Sequence, residues 1–240
     1  MPTLLWLRQD LRLHDQPALC AAAAADAVIP VYVLDDEGPG DWRIGGAQRW
    51  WLHHSLTALD DALREKGSRL ILRRGPAAEV LKGLAKETGA TEIHAIRHYE
   101  PWWRAAEEEL GGLLTLHDGN HLRPLRDVTT GAGGQFKIFS SFWKALSATM
   151  PPEDPMPAPD RIPAPGHWPK SDTLASWKLL PTAPNWAKGF EMWSPGEEGA
   201  QDALDAFVSI STDYEEQRNL PSTEGTSRLS PHLHHGEISP

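Results

Sequence analysis

The sequence predicts an α/β fold, a five-stranded parallel sheet with helices on both faces, and three observations predict it. Between Leu4 and His117, five short runs rich in Leu, Ile and Val recur. Stretches of helical spacing or strong helical propensity separate them, with Gly and Pro at the joints. The first runs are apolar without polar interruption, the pattern of strands covered on both faces. Such alternation makes right-handed βαβ units, so the arrangement is Rossmann-like.

Leu4–Leu7 is the first strand. Asp15 is placed to cap a helix that tolerates Pro17 in its first turn and continues through Ala18–Ala25. Ala27–Val33 is β-branched and strand-like, followed by acidic Asp35, Asp36 and Glu37. Gly45-Gly46 precede a helix over Ala47–Lys66, where Trp50, Leu52, Leu56, Leu59 and Leu63 recur at helical spacing and Gly67 ends the run. Arg69–Arg73 is the third strand and Ala77–Glu87 the next helix, opened by Gly75-Pro76. Thr91–Ile96, Pro101–Leu110 and Leu113–His117 complete the set as strand, helix and strand.

Beyond Asp118 the composition changes. Thr129–Gly134 is a flexible connector, and Phe136–Leu146 carries aromatics at helical spacing. Met150–Pro184 is Pro-dense, with no room for a long helix or a central strand. It reads as an interdomain strap pinned by Trp168, Trp177 and Trp186. From Pro195 to Val208, apolar Ala200, Leu204 and Phe207 mark a helix, the first of an all-α domain. The organisation expected is an α/β unit over 1–130, a connector over 131–194 and the start of a helical domain over 195–240.

Composition narrows the function classes. The chain is 40% hydrophobic and 23% charged, that of a soluble protein with a core. Its one cysteine, Cys20, excludes a disulfide framework or a multi-Cys metal site. No apolar run approaches the ~20 residues of a membrane span and no signal core is present, so a cytoplasmic address follows. A formal net charge of −10 argues against a nucleic-acid surface on this segment by itself.

The stretch with most chemistry is Thr226-Ser-Arg-Leu-Ser-Pro-His-Leu-His-His-Gly-Glu-Ile-Ser-Pro240. Three hydroxyls and a guanidinium fall between Thr226 and Ser230, and Pro231 can open a helix. From the residues alone this is either a phosphate-binding corner or a Ser/Thr helix cap with a solvated Arg.

That stretch resembles the flavin-binding segment of the photolyase/cryptochrome family. Trp193-Ser-Pro-Gly-Glu, Tyr214-Glu-Glu-Gln-Arg218 and Thr226–Ser230 follow in the family's order and spacing. Leu4-Leu-Trp-Leu-Arg-Gln-Asp-Leu-Arg-Leu-His-Asp15 is similar to the family's opening strand and loop. The resemblance implies a parent DNA photolyase, a flavoprotein lyase splitting cyclobutane pyrimidine dimers with blue light and reduced FAD. The alternative it implies is a cryptochrome, a photoreceptor signalling without repair. It assigns FAD to Tyr214, Thr226, Ser227, Arg228, Leu229 and Ser230, with His235 where many relatives carry an aromatic. Family members continue past this point through an all-helical domain that holds most of the flavin pocket and the DNA groove. The resemblance therefore implies a fragment or truncated form, inactive alone, of a monomeric protein, with no catalytic residues in this segment.

In relatives the α/β unit holds an antenna chromophore, for which Arg43, Ile44, Glu100, Trp102 and Trp103 are the candidates. Ligands of such sheets lie beyond the carboxyl ends of the strands, where these residues fall. For the Trp residues, core or interface anchoring is the alternative. One folate-binding branch has Asn-Glu at the positions of Trp102 and Trp103, and deazaflavin-binding relatives place an Arg near Gln48. The stretch from Arg43 to Leu52 is more similar to the photolyase branch related to plant cryptochromes. Methenyltetrahydrofolate is the antenna implied, with 8-hydroxy-5-deazaflavin or none as alternatives. A metal is not expected: adjacent His53 and His54 point about 100° apart on a helix, and no Cys or Asp accompanies His232 and His235.

Overall fold

The computed structural model describes residues 1–240. Strands β1 (Thr3–Leu7), β2 (Val28–Leu34), β3 (Ile71–Arg74), β4 (Ile93–Ile96) and β5 (Leu114–His117) form one sheet. Its order is β3-β2-β1-β4-β5, and every neighbouring pair is parallel. Side chains alternate across it as strand geometry requires. Leu5, Leu7, Val28, Leu34, Leu72 and Ile96 enter a core under α1 (Pro17–Ala25) and α2 (Gly46–Glu65). Leu4, Trp6, Ile29, Val31, Ile71 and Ile93 enter a second core under α3 (Ala77–Thr88) and α4 (Pro101–Leu110).

Two local expectations change. The buried stripe of α2 is headed by Trp51, not Trp50, and runs through Leu52, Ser55, Leu56, Leu59 and Leu63. Asp15 does not cap α1: its own φ is 49°, and its carboxylate accepts the amide of Met156 at 3.1 Å. A strap residue has taken the acceptor that the helix start lacked.

After β5 come α5 (Phe139–Ser147), the Pro-dense strap, α6 (Glu197–Ile210), a single turn α7 (Tyr214–Gln217) and α8 (Ser230–His235). The strap lies on the α/β unit, with Ile162, Trp177 and Leu179 buried in the first core. Backbone bonds tie it down, from Ile162 to Lys66 at 3.0 Å and from Asp172 to Leu72 at 2.9 Å. Trp168 covers Arg69 at 4.8 Å, whereas Trp186 remains 44% exposed and anchors least. No helix is long and apolar enough to cross a membrane.

The chain reverses its direction of travel across the sheet between β1 and β4, so the loops leaving these two strands part from one another. The resulting crevice positions everything below.

Candidate functional site

α8 is packed against the loop that leaves β1. Leu11 donates its amide to His235 O at 3.1 Å, and Arg12 Nη1 donates to Gly236 O at 3.1 Å. Gly236 has φ +66°, and a Cβ there would lie 2.1 Å from Gln9 O, so only glycine lets the two segments meet this closely. Glu197, at the head of α6, accepts the amides of Leu13 and His14, each at 2.8 Å.

The hydroxyl-rich corner opens on a cavity of ≈ 350 Å³. Thr226, Ser227 and Arg228 line it, together with His232 and the apolar Met192, Trp193, Ala206 and Phe207. Thr226 and Ser230 are exposed, while Leu229 and Ser227 are half-buried. Ser227 Oγ accepts the Leu229 amide at 3.4 Å, a weak ST-turn. Arg228 has φ 52°, a left-handed conformation rare outside glycine, and its guanidinium donates to Glu224 at 3.1 Å. Tyr214 is 38% exposed and packs edge-on against Phe207 at 5.6 Å, beside the cavity and not in its wall. Of the six flavin candidates, Thr226, Ser227 and Arg228 line the cavity, while Leu229, Ser230 and Tyr214 lie outside its wall.

Behind the corner lies a buried group that local sequence patterns do not reveal. Glu237 is 1% exposed and accepts hydrogen bonds from Trp51 Nε1 at 3.0 Å and from Ser55 Oγ. Its other oxygen meets His232 Nδ1 at 2.6 Å. His235 is buried as well and stacks on Trp51 at 6.0 Å and 13°, filling an aromatic's place. Burial, then the charges of His234 and His232, push its pKa down to about 3, so it packs as a neutral ring.

A second cavity of ≈ 250 Å³ sits at the crevice between β1 and β4. Gln9, His98, Tyr99, Glu100, Asn120, His121 and His234 contribute to its wall, the last from α8. α8 therefore separates the two cavities. Of the antenna candidates, Glu100 lines this second cavity; Arg43, Ile44, Trp102 and Trp103 do not. Arg43 is exposed, and Ile44 packs on the first core. Trp103 packs on the second core and meets His98 edge-on at 4.6 Å, with Trp102 beside it at 5.9 Å.

The floor of the crevice is charged and buried. Arg8, 3% exposed, pairs with Glu107 at 2.7 Å and lies over the Trp6 ring at 4.1 Å. Burial lowers the Arg8 pKa, opposed by Asp10 and Glu107. Asp10 is fully buried and accepts from the Arg8 amide at 2.5 Å and from Gln16 Nε2 at 2.9 Å. Burial would raise its carboxyl, but facing His98 and Arg8 outweigh that and hold it below the usual range. No group of three His, Cys, Asp or Glu side chains is gathered closely enough to hold a metal ion.

Comparison with known proteins supplies the context. Residues 3–160 match the family model described as DNA photolyase. A deoxyribodipyrimidine photo-lyase of Agrobacterium fabrum is 43% identical over 250 residues, covering 100% of this chain and 51% of that protein. Cryptochrome-1 of Arabidopsis thaliana is 33% identical over 249 residues, covering 99% of this chain and 36% of that protein. The crystal structure of a class III photolyase from Agrobacterium tumefaciens superposes with a TM-score of 0.90 at 43% identity, over 99% of this chain and 51% of that one. The chain thus spans about half the length of these photolyases or less.

Proposed function

The chain belongs to the DNA photolyase family, and from that premise we propose that the protein carrying it repairs cyclobutane pyrimidine dimers in DNA, driven by light and reduced FAD. The observation that carries this reading is end-to-end similarity to a deoxyribodipyrimidine photo-lyase at 43% identity, against 33% to a plant cryptochrome. The chemistry supplied by bound, reduced FAD is donation of an electron to the dimer under blue light and its recovery after the ring opens.

The corner fits part of such a cofactor. The hydroxyls of Thr226 and Ser227 line an open cavity whose other wall is apolar Trp193 and Phe207, and exposed Ser230 follows at the start of α8. That donor set suits the diphosphate and its approach, and the cavity is too small for the whole dinucleotide. Thr226, Ser227 and Ser230 would donate to phosphate oxygens. Arg228 is partly neutralised by Glu224 and shapes the turn, while Leu229 and Tyr214 would flank the bound group. The dimer-containing strand is engaged elsewhere, since this chain carries a formal net charge of −10. The protein works as a cytoplasmic monomer.

The cavity at the crevice is the place for an antenna, and methenyltetrahydrofolate is the ligand we assign to it, with 8-hydroxy-5-deazaflavin as the alternative. What supports this is Glu100, an acceptor for a ring N–H edge, among the flat rings of His98, Tyr99 and His121. A cryptochrome-type photoreceptor is the second reading, favoured by the similarity to Cryptochrome-1 over 99% of the chain.

The deciding experiment is dimer repair by the full-length protein under blue light, with a dark control. Light-dependent loss of dimers is expected. Flavin-containing protein that leaves dimers intact would overturn repair in favour of the photoreceptor.

A further inference from the structure

We propose that Glu237 is a positioning residue for the flavin corner, acting through His232. The proposal rests on the flavin reading of Thr226–Ser230 given above. α8 has six residues, too few to hold its own shape or direction in water. Its pose must come from tertiary bonds, and the strongest of these converge on one carboxylate.

Glu237 collects its partners from two elements: Trp51 and Ser55 from α2, and His232 from α8. All four residues are at most 5% exposed. A buried carboxylate is costly unless every lone pair is used, so this group is worth keeping only for the geometry that it imposes. One oxygen fixes α2, through the indole and the hydroxyl, and the other fixes the imidazole, leaving neither segment free to rotate against its neighbour. His232 is also a wall of the ≈ 350 Å³ cavity, shared with Thr226, Ser227 and Arg228. Displacing its ring therefore moves that wall and frees α8, whose first residue, Ser230, directly follows the turn that carries Thr226 and Ser227. Gly236, next to Glu237, bars any slide toward Gln9. The carboxylate touches no cofactor itself; it sets where the corner stands.

The test is FAD affinity of the deflavinated full-length protein, with thermal melting measured in parallel. Glu237→Gln keeps the volume but leaves a single acceptor oxygen for Trp51 Nε1, Ser55 Oγ and His232 Nδ1, and turns an NH2 donor toward one of them. His232→Gln removes the ring. Each is expected to weaken FAD about tenfold or more, the loss of a hydrogen bond to a charged group. Because the two act as one device, the double variant is expected to bind within about twofold of the weaker single variant. A merely structural carboxylate would instead give multiplying losses, and that result, or unchanged affinity in folded Glu237→Gln, overturns the proposal. Should Glu237→Gln fail to fold, Ser55→Ala removes one bond only. A loss of a few-fold in FAD affinity at unchanged melting temperature supports the proposal, and no loss overturns it. A wild-type protein that binds no FAD at all sinks the flavin reading instead, which keeps the two failures distinct.

Discussion

The α/β unit and the stretch after β5 turn opposite surfaces to water. Up to His117 the only exposed large apolar side chains are Met1, Trp42 and Tyr99. A stretch of similar length beyond it exposes fourteen, among them Ile138 at 65%, Phe139 at 73% and Val208 at 61%. Scattered exposure is ordinary, but its concentration in one half is not. The contrast places stability in the sheet, whose two cores are closed, and makes the second half depend on a few anchors: the strap's buried residues and the seat of α8.

The sharpest break of that comparison is in the first core. Leu63 is fully buried, and Leu63→Ala is expected to cost about 2–5 kcal/mol in urea unfolding. A loss below about 1 kcal/mol would mean that the sheet is not where stability resides.

Next in size is the acid response of the α8 seat. The folded pKa of His235 is depressed to about 3, so the unfolded chain takes up the proton first as pH falls. Its contribution is therefore complete above about pH 6.5 and declines toward pH 3, by up to about 1.4 kcal/mol per unit. His235→Phe keeps the flat ring and is expected to remove this slope, a difference of about 2 kcal/mol at pH 5 relative to pH 7. Melting curves at both pH values check it; parallel slopes in wild type and variant would show that folding does not depress the His235 pKa. The smallest effect belongs to the exposed half. Val208→Ser is expected to change stability by no more than about 0.5 kcal/mol, and a larger loss would mean that α6 is sealed after all.

Much of this was legible in the sequence because much of it is local. Strand positions follow from apolar runs, and all five strands start and end within two residues of the expected bounds, with β2 shifted one residue along the chain and β4 starting two residues late. That the hydroxyls of Thr226, Ser227 and Ser230 stand close together was legible too, because they are near neighbours in the chain. The deeper partners were not. Glu237 and Ser55 are 182 residues apart, and no periodicity records who receives a carboxylate at that separation. The usable signal was a charged residue directly after Gly236, in a run otherwise suited to burial. Asp15 failed as a cap for the same reason, its partner Met156 lying 141 residues away. Trp51 displaced Trp50 because the facing elements Trp193 and His235 decide which neighbour turns inward.

The strap gives the sheet a practical boundary. Ile162, Trp177 and Leu179 share a core with Leu5 and Leu63, and the Trp177 ring leans on Tyr32 at 6.2 Å. A polypeptide ended at residue 130 would leave those neighbours bare to solvent and invite aggregation during expression. Whoever wishes to prepare the sheet as a separate piece should carry it through Leu179, for the proline-rich run is less a tether between parts than the last layer of the first one.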